Sequence, residues 1–319
     1  MMCAMARVAN GEVRDAVPSA ETRPRGEGMV LAAFVALVLI GGSNFVAVRF
    51  SNFSLPPVWA AGSRFATAAV ILVLIGRTFG ILFPRGRALI GASVYGLLTF
   101  GVFYALMYLA LVDAPAALAA VVLASVPLIT FLLAFAQRQE RFQWRGILGG
   151  VIAVAGIAII VGGPEVPLTS LLALGGAALA AGEGGVVAKR IPKTHPVTLN
   201  AVAMAAGSVL LLVLSALRGE PWVFPEDGAM WAVQIYLVTV GSVGLFVLYL
   251  IVLGRWTASR TAFAFVLFPI VAAALGAWLL DDPITLPLAI GSAVVLAGVY
   301  IGALRGALSS TSAESTREA

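Results

Sequence analysis

Ten long apolar runs succeed one another between Met29 and Leu304, separated by short links that hold nearly all of the charge. An α-helix rises 1.5 Å per residue and a bilayer core is about 30 Å thick, so about 20 apolar residues cross it once. Backbone polar groups find no water there and must pair within the segment, which leaves the helix as the form for runs of this length. The runs are Met29–Val48, Val58–Ile75, Ala88–Val112, Pro115–Ala136, Gly146–Gly163, Leu168–Ala188, Val197–Leu217, Ala229–Leu253, Thr261–Leu280 and Leu286–Leu304. The sequence predicts an all-α membrane protein of ten transmembrane helices. Residues 1–28 and 305–319 are expected to be tails, the first of them disordered. The first run is too long for a signal-peptide core and no small-residue cleavage site follows it, so it is expected to stay as a span.

Composition argues against a soluble bundle. Charged residues make up 11% of the chain, where soluble domains carry roughly 25%. The net charge of +5 would suit nucleic acid. However, the basic residues sit in short clusters between apolar runs, with no arginine-rich helix among aromatics, so no nucleic-acid partner is expected. The single cysteine, Cys3, and the single histidine, His195, give no stock for a disulfide, a metal centre or a cofactor.

The placement of Lys and Arg sets an orientation. With the N-terminus inside, seventeen of the twenty fall in inner segments, Arg49 and Arg218 fall outside, and Arg64 lies within a span. A missed or invented span would scramble that alternation. Both termini are therefore expected in the cytoplasm.

An internal repeat divides the chain. VPLITFLLAFAQRQERFQWRGILGGVIAVAGIAII, from Val126, realigns with FPIVAAALGAWLLDDPITLPLAIGSAVVLAGVYIG, from Phe268, at a shift of 142. Pro127 falls on Pro269, Glu140 on Asp282, Gly149 on Gly291 and Gly156 on Gly298. Thr99 and Gly101 match Thr239 and Gly241 at a shift of 140, and Tyr108 matches Tyr249 at 141. Each half, 29–163 and 168–304, holds five spans, and an odd number reverses the second half relative to the first. Two five-helix inverted-topology repeats are a transporter architecture, with the site near the midplane between them.

On these residues the chain resembles the EamA-type branch of the drug/metabolite transporter superfamily. The resemblance rests on GGSNF (Gly41–Phe45), on SRF (Ser63–Phe65) and on the Pro…Glu…Gly pattern of spans four and five, repeated with Asp282 in place of the usual glutamate. Ile40-Gly41-Gly42 stands where the family usually carries a small residue, Trp and Gly. The resemblance implies an inner-membrane exporter of amino acids, metabolites or drugs with a central cavity. It implies no particular substrate.

The candidate site residues are the polar, aromatic and kinked positions within spans. Glu183 lies about 7.5 Å from the inner end of span six. It is either a coupling or gating carboxylate or an interfacial acid paired with Lys189 or Arg190. Arg64, about 9 Å deep at the outer end of span two, pairs either with helix-end carbonyls or an outer-loop acid, or with a substrate carboxylate; Glu183 is too far along the membrane normal to be its partner. Phe100, Tyr104 and Tyr108 recur at spacing four and share a helix face. Tyr104, Tyr108, Tyr249, Phe265 and Phe268 are the expected walls of a substrate cavity, or else interhelical packing. Asn44 is a substrate amide or an interhelical tie. Pro127 and Pro269 each remove a helical hydrogen bond and predict a symmetric pair of kinks, either hinges at the pathway or static bends that serve packing. Gly146/Gly150 and Gly298/Gly302 suggest close helix packing, within a monomer or at a homodimer face.

The function expected is secondary transport of a small molecule, with membrane lipid as the other partner. No G-x-x-x-x-G-K-[ST] loop occurs, so this chain brings no such ATP site. A channel-like facilitator is the alternative. An intramembrane lipid-modifying enzyme would need a nucleophile–base pair or metal cluster that one histidine and one cysteine do not supply.

Overall fold

The computed structural model describes residues 25–138, 144–161, 166–253, 255 and 258–301. The two tails up to residue 24 and from residue 302, together with Glu140, Arg141 and Gly302, lie outside the described residues. The described chain is helical and contains no strand: α1 (Arg25–Ser51), α2 (Pro57–Thr78), α3 (Arg87–Gly96), α4 (Phe103–Ala110), α5 (Ala116–Ala124), α6 (Val126–Ala136), α7 (Trp144–Val161), α8 (Leu168–Ala188), α9 (Pro196–Leu217), α10 (Gly228–Val238), α11 (Leu245–Leu253), α12 (Ala258–Leu279) and α13 (Leu286–Val299). Among the described residues, seven stretches are long and apolar enough to cross a membrane: Gly28–Ser51, Pro57–Thr78, Arg87–Ala110, Ala116–Ala136, Leu168–Ala188, Pro196–Leu217 and Gly228–Tyr249. Three shorter apolar helices, Ile147–Ile160, Ala264–Leu279 and Leu286–Val299, accompany them. The protein is a multi-pass membrane protein.

Local sequence explains where the helices start. Pro57, Pro196 and Pro287 sit in first turns, where the missing N–H costs nothing. The Asp227 carboxylate accepts from Met230 N at 2.7 Å and caps α10. The Thr285 hydroxyl accepts from Leu288 N at 3.3 Å and caps α13. His195, exposed, caps α9 through Nδ1.

Proline chemistry divides the expected kinks unequally. Ahead of Pro127 the helix breaks at Ser125, between α5 and α6. Pro127 cannot donate to Leu123 O, Ser125 Oγ donates to Val122 O at 2.5 Å, and the ladder restarts with Ile129 N to Ser125 O at 3.0 Å. Pro269 instead lies buried inside the continuous α12. The matched pair of kinks is therefore a break in one half and an unbroken helix in the other.

A symmetry that the sequence did not announce lies elsewhere. A π-helical turn, Leu97–Val102, joins α3 to α4, and another, Thr239–Gly244, joins α10 to α11. Leu97 maps onto Thr239 at the shift of 142 that also relates Pro127 to Pro269. The shifts of 140 and 141 that pair Thr99 with Thr239 and Tyr108 with Tyr249 are thus not the register of the backbone here.

The helices pack mainly across the halves. Helix α2 lies on α9, α7 on α13, α1 on α11 and α12, α4 and α6 on α8, and α5 on α12. Apolar collapse gives no drive in lipid, so close van der Waals fit must hold such helices together. At α7–α13 the fit needs glycine. A methyl at Gly156 would stand 2.8 Å from Gly291 O, and one at Gly298 would stand 2.6 Å from Gly149 O. Position 149 faces 298 while 156 faces 291, so the two helices run antiparallel. Gly62 against Leu212 and Gly76 against Thr198 give α2 and α9 the same sense. The close contacts run through Gly149 and Gly156 rather than Gly150, where a methyl would meet only Leu132 and Leu128, at 3.8 and 3.9 Å. Helix α5, AALAAVVLA, is buried on every face and sits among α1, α8, α12 and α13.

Candidate functional site

Arg64 occupies the third turn of α2 and is fully buried, with an exposure of 0%. Its guanidinium reaches three neighbouring elements. Nε donates to Ser242 Oγ at 2.8 Å, Nη1 to the Tyr108 hydroxyl at 3.2 Å, and Nη2 to Asn44 Oδ1 at 3.2 Å and to Gly241 O at 2.9 Å. Asn44 Nδ2 donates to the same Gly241 carbonyl at 3.2 Å. Cζ lies 4.9 Å from the Phe65 ring centroid and 5.3 Å from that of Tyr104, which places the cation against two π-faces. The two residues contributed by the second half, Gly241 and Ser242, lie in the π-turn, and the Gly241 carbonyl accepts from both Arg64 and Asn44. A helix-interior carbonyl thus takes the role that sequence assigned to a helix end or an outer-loop acid. Among the described residues no carboxylate lies within 4.0 Å of Arg64.

Four of the ten expected site residues therefore meet at one place: Asn44, Arg64, Tyr104 and Tyr108. The aromatic face appears as expected, with ring centroids of Phe100 and Tyr104 6.3 Å apart and those of Tyr104 and Tyr108 also 6.3 Å apart. Tyr249, Phe265 and Phe268 lie in a different place. Tyr249 and Phe268 pack in an apolar cluster with Leu245, Leu248, Leu267 and Val271 along α1, α11 and α12, and the Phe265 ring stands 5.2 Å from Phe268. Tyr249 is half-buried among aliphatic side chains, whereas Tyr108 is fully buried on the Arg64 cation. The two tyrosines are not equivalent in environment.

Glu183 stands apart from both groups. It is half-buried on α8 and accepts from Gln137 Nε2 at 2.7 Å, just beyond the end of α6. The glycines around it admit neighbours: a methyl at Gly182 would meet Ile129 Cγ2 at 2.8 Å, and Gly184 lies against Thr99 of the first π-turn. That carboxylate faces protein, with a neutral amide as its partner.

The opposite end of the bundle is tied by acids of the second half. Asp282, 8% exposed, forms an ion pair with Arg49 at the end of α1 and accepts from Ala116 N at the start of α5 at 3.3 Å. Glu220 accepts from Trp59 N at 2.8 Å and Val58 N at 3.4 Å at the start of α2. Each acid supplies an acceptor and a negative charge where a helix leaves free N–H groups.

A cavity of about 260 Å³ opens between α2 and α10, lined in part by Trp59, Ser63, Phe224, Trp231 and Gln234. Trp59 stacks on Trp222 at 4.9 Å and Phe224 on Trp231 at 6.3 Å. None of the ten expected site residues lines it. Ser63, Gln137, Gly241 and Ser242 are the polar participants that pattern reasoning did not assemble. The signal for Ser242 and Gly241 was the GSVG segment itself, glycines flanking a serine within an apolar run.

Comparison with known proteins fixes the class. The family model described as the EamA-like transporter family matches twice, at residues 28–162 and 168–303, so its domain is duplicated here. An uncharacterized inner membrane transporter of Escherichia coli (strain K12), YedA, is 31% identical over 77% of this chain and 81% of its own length. A probable amino-acid metabolite efflux pump of Salmonella typhimurium is 27% identical over 84% of this chain and 93% of its own. A probable terminal-alkyne amino-acid exporter of Streptantibioticus cattleyicolor is 28% identical over 84% and 91%. A solved crystal structure of a chain 20% identical superposes with a TM-score of 0.62 over 87% of this chain and 98% of that one, a likeness of fold. With both halves matched and most of its length covered, the chain belongs to the EamA-like transporter family.

Proposed function

We propose that the protein is a secondary exporter of small amphipathic metabolites, amino acids among them, and not an enzyme. In this reading it crosses the membrane ten times as two inverted five-helix repeats, with both termini in the cytoplasm. The observation that carries the reading is the reciprocal contact of α7 and α13. Helices at corresponding places in the two repeats pack antiparallel, with Gly149 opposite Gly298 and Gly156 opposite Gly291. Such exchange is what a two-fold axis in the membrane plane produces, and it suits a carrier whose halves rock about a site at their seam. The seventeen basic residues on one side of the predicted topology agree with it. The names of two relatives, an efflux pump and an exporter of amino-acid compounds, support the direction and the substrate class.

Mechanistically, Asn44, Arg64, Tyr104 and Tyr108 form the polar floor of the substrate site. Tyr249, Phe265 and Phe268 form an apolar wall that approaches as the halves move. The Asp282 and Glu220 ties close the outer side in this conformation. Glu183 and Gln137 lie towards the inner side, where Glu183 exchanges a proton during the cycle. The break before Pro127 and the missing ladder bond at Pro269 allow α6 and α12 to tilt.

The test is counterflow of radiolabelled amino acids in proteoliposomes with and without an imposed pH gradient. Saturable counterflow is expected, accelerated by the gradient in the wild type and indifferent to it in Glu183→Gln. Ohmic unitary currents would replace the carrier by a channel.

A further inference from the structure

We infer that the Arg64 cluster is a receptor for a carboxylate, so that the exported compounds are small carboxylic acids, zwitterionic amino acids included. This rests on the transporter reading above and specifies its substrate.

The argument is a census of donors and acceptors. A guanidinium carries five N–H donors and no acceptor. Four are engaged, by Ser242 Oγ, Tyr108 Oη, Asn44 Oδ1 and Gly241 O, and every one of these acceptors is neutral. The fifth N–H, on Nη1, has no acceptor among the described residues. The hydroxyl of Tyr108 accepts from Arg64 and has no acceptor of its own there. The Tyr104 side chain, 8% exposed, stands beside the cation, and its hydroxyl has no partner among the described residues. Three donors around one buried positive charge are thus left without acceptors.

The charge is uncompensated as well. Moving an ion out of water is costly unless it is paired, and ionisable groups at membrane depth mark substrate pathways. The buried and half-buried acids among the described residues are committed elsewhere: Asp282 to Arg49 and α5, Glu220 to α2 and Arg218, Glu183 to Gln137. A carboxylate supplies what the cluster lacks, with two oxygens for the three donors and one negative charge for the guanidinium. The free Nη1 N–H of Arg64 donates a charge-assisted bond to the carboxylate, and the hydroxyls of Tyr104 and Tyr108 supply the other donors. The Tyr104 ring and the adjoining Phe100 would border the carbon skeleton of the ligand, giving a site with a polar end and an apolar wall.

The experiment compares L-phenylalanine with its methyl ester and with phenethylamine, which keep the ring and lose the carboxylate. The full chain in proteoliposomes is assayed for counterflow, and the same protein in detergent for ligand-induced thermal stabilisation. The acid is expected to be preferred at least tenfold over the ester and the amine. Arg64→Gln should abolish that preference. Tyr104→Phe removes a hydroxyl that holds nothing in the fold, so it should leave the melting temperature unchanged while weakening the acid about tenfold. Equal handling of acid, ester and amine, or an acid preference that survives both substitutions, would overturn the inference while leaving the carrier standing. No saturable flux of any of the three would sink the carrier reading, and this inference with it.

Discussion

Arg64 of α2 donates through Nη2 to the carbonyl oxygen of Gly241 at 2.9 Å, joining the first half of the chain to the second across a π-turn. Single π-turns of this kind recur at functional sites. Ser242, next along the turn, holds the other end of the guanidinium and itself donates to Leu237 O at 2.9 Å. A single hydroxyl therefore relays between a buried cation and the backbone that makes the turn.

Ser242→Ala should expose that dependence. Hydrogen bonds to charged groups are worth about 1.5–3 kcal/mol, and a buried donor left unmade costs on that order. A loss of about 2 kcal/mol in unfolding free energy is expected, read by denaturant titration in mixed micelles. Thr78→Ala is the comparison. Thr78 is exposed and bonds only to its own helix, at Leu74 O and Ile75 O, so its loss should stay within about 0.5 kcal/mol. Equal effects would show that the π-turn does not rely on Ser242.

The Asp282 tie makes a second claim. Asp282 binds Arg49 and the first amide of α5 together, so neutralising it keeps the shape and removes the charge. With Cys3 replaced by serine and a reporter cysteine at Ala114, which is fully buried, labelling by a membrane-impermeant maleimide should be slow. In Asp282→Asn it should rise several-fold as the α1–α5 end opens. The exchange Arg49→Asp with Asp282→Arg should recover part of the protection, because the ion pair re-forms in reverse while the Ala116 amide stays unmet. Labelling that does not respond to Asp282→Asn would remove this tie from the closing mechanism.

How much of this was legible follows from which residues carry local information. The apolar runs predict helix positions because a membrane-length helix is written in about 20 consecutive residues, and α8 runs over the predicted Leu168–Ala188. The ladder of Phe100, Tyr104 and Tyr108 was legible because spacing four is a helix face. The partners of Arg64 were not. Gly241 and Ser242 stand 177 and 178 residues away, and nothing in periodicity says that a π-turn will present them. Matching Tyr108 to Tyr249 misled for a related reason. Residue type recurs at a shift of 141, but the backbone register is 142. One residue of slip turns a side chain by about 100° on a helix of 3.6 residues per turn. Glu183 had a depth and a class of environment in the sequence, while its partner Gln137 comes from a different repeat and depends on how α6 meets α8.

The antiparallel crossing of α7 and α13 yields the sharpest stability contrast. At Gly156 any Cβ would press on Gly291 O at 2.8 Å and Val295 N at 2.7 Å, backbone atoms that cannot step aside. At Gly175, in the middle of α8, a methyl would meet nothing within 4 Å. Gly156→Leu should therefore force the helices apart and cost about 3 kcal/mol or more, or prevent folding, in the manner of overpacked cores. Gly175→Ala should be neutral or stabilise by up to about 1 kcal/mol through helix propensity. The reciprocal site gives an internal check: Gly298→Leu should match Gly156→Leu, because Gly298 on Gly149 and Gly156 on Gly291 are equivalent contacts at the two ends of one crossing. Fluorescence-detected size-exclusion melting of the three variants reads all of this together. A Gly156→Leu protein that melts with the wild type would refute the close crossing, and with it the reciprocal packing on which the inverted arrangement of the two halves rests.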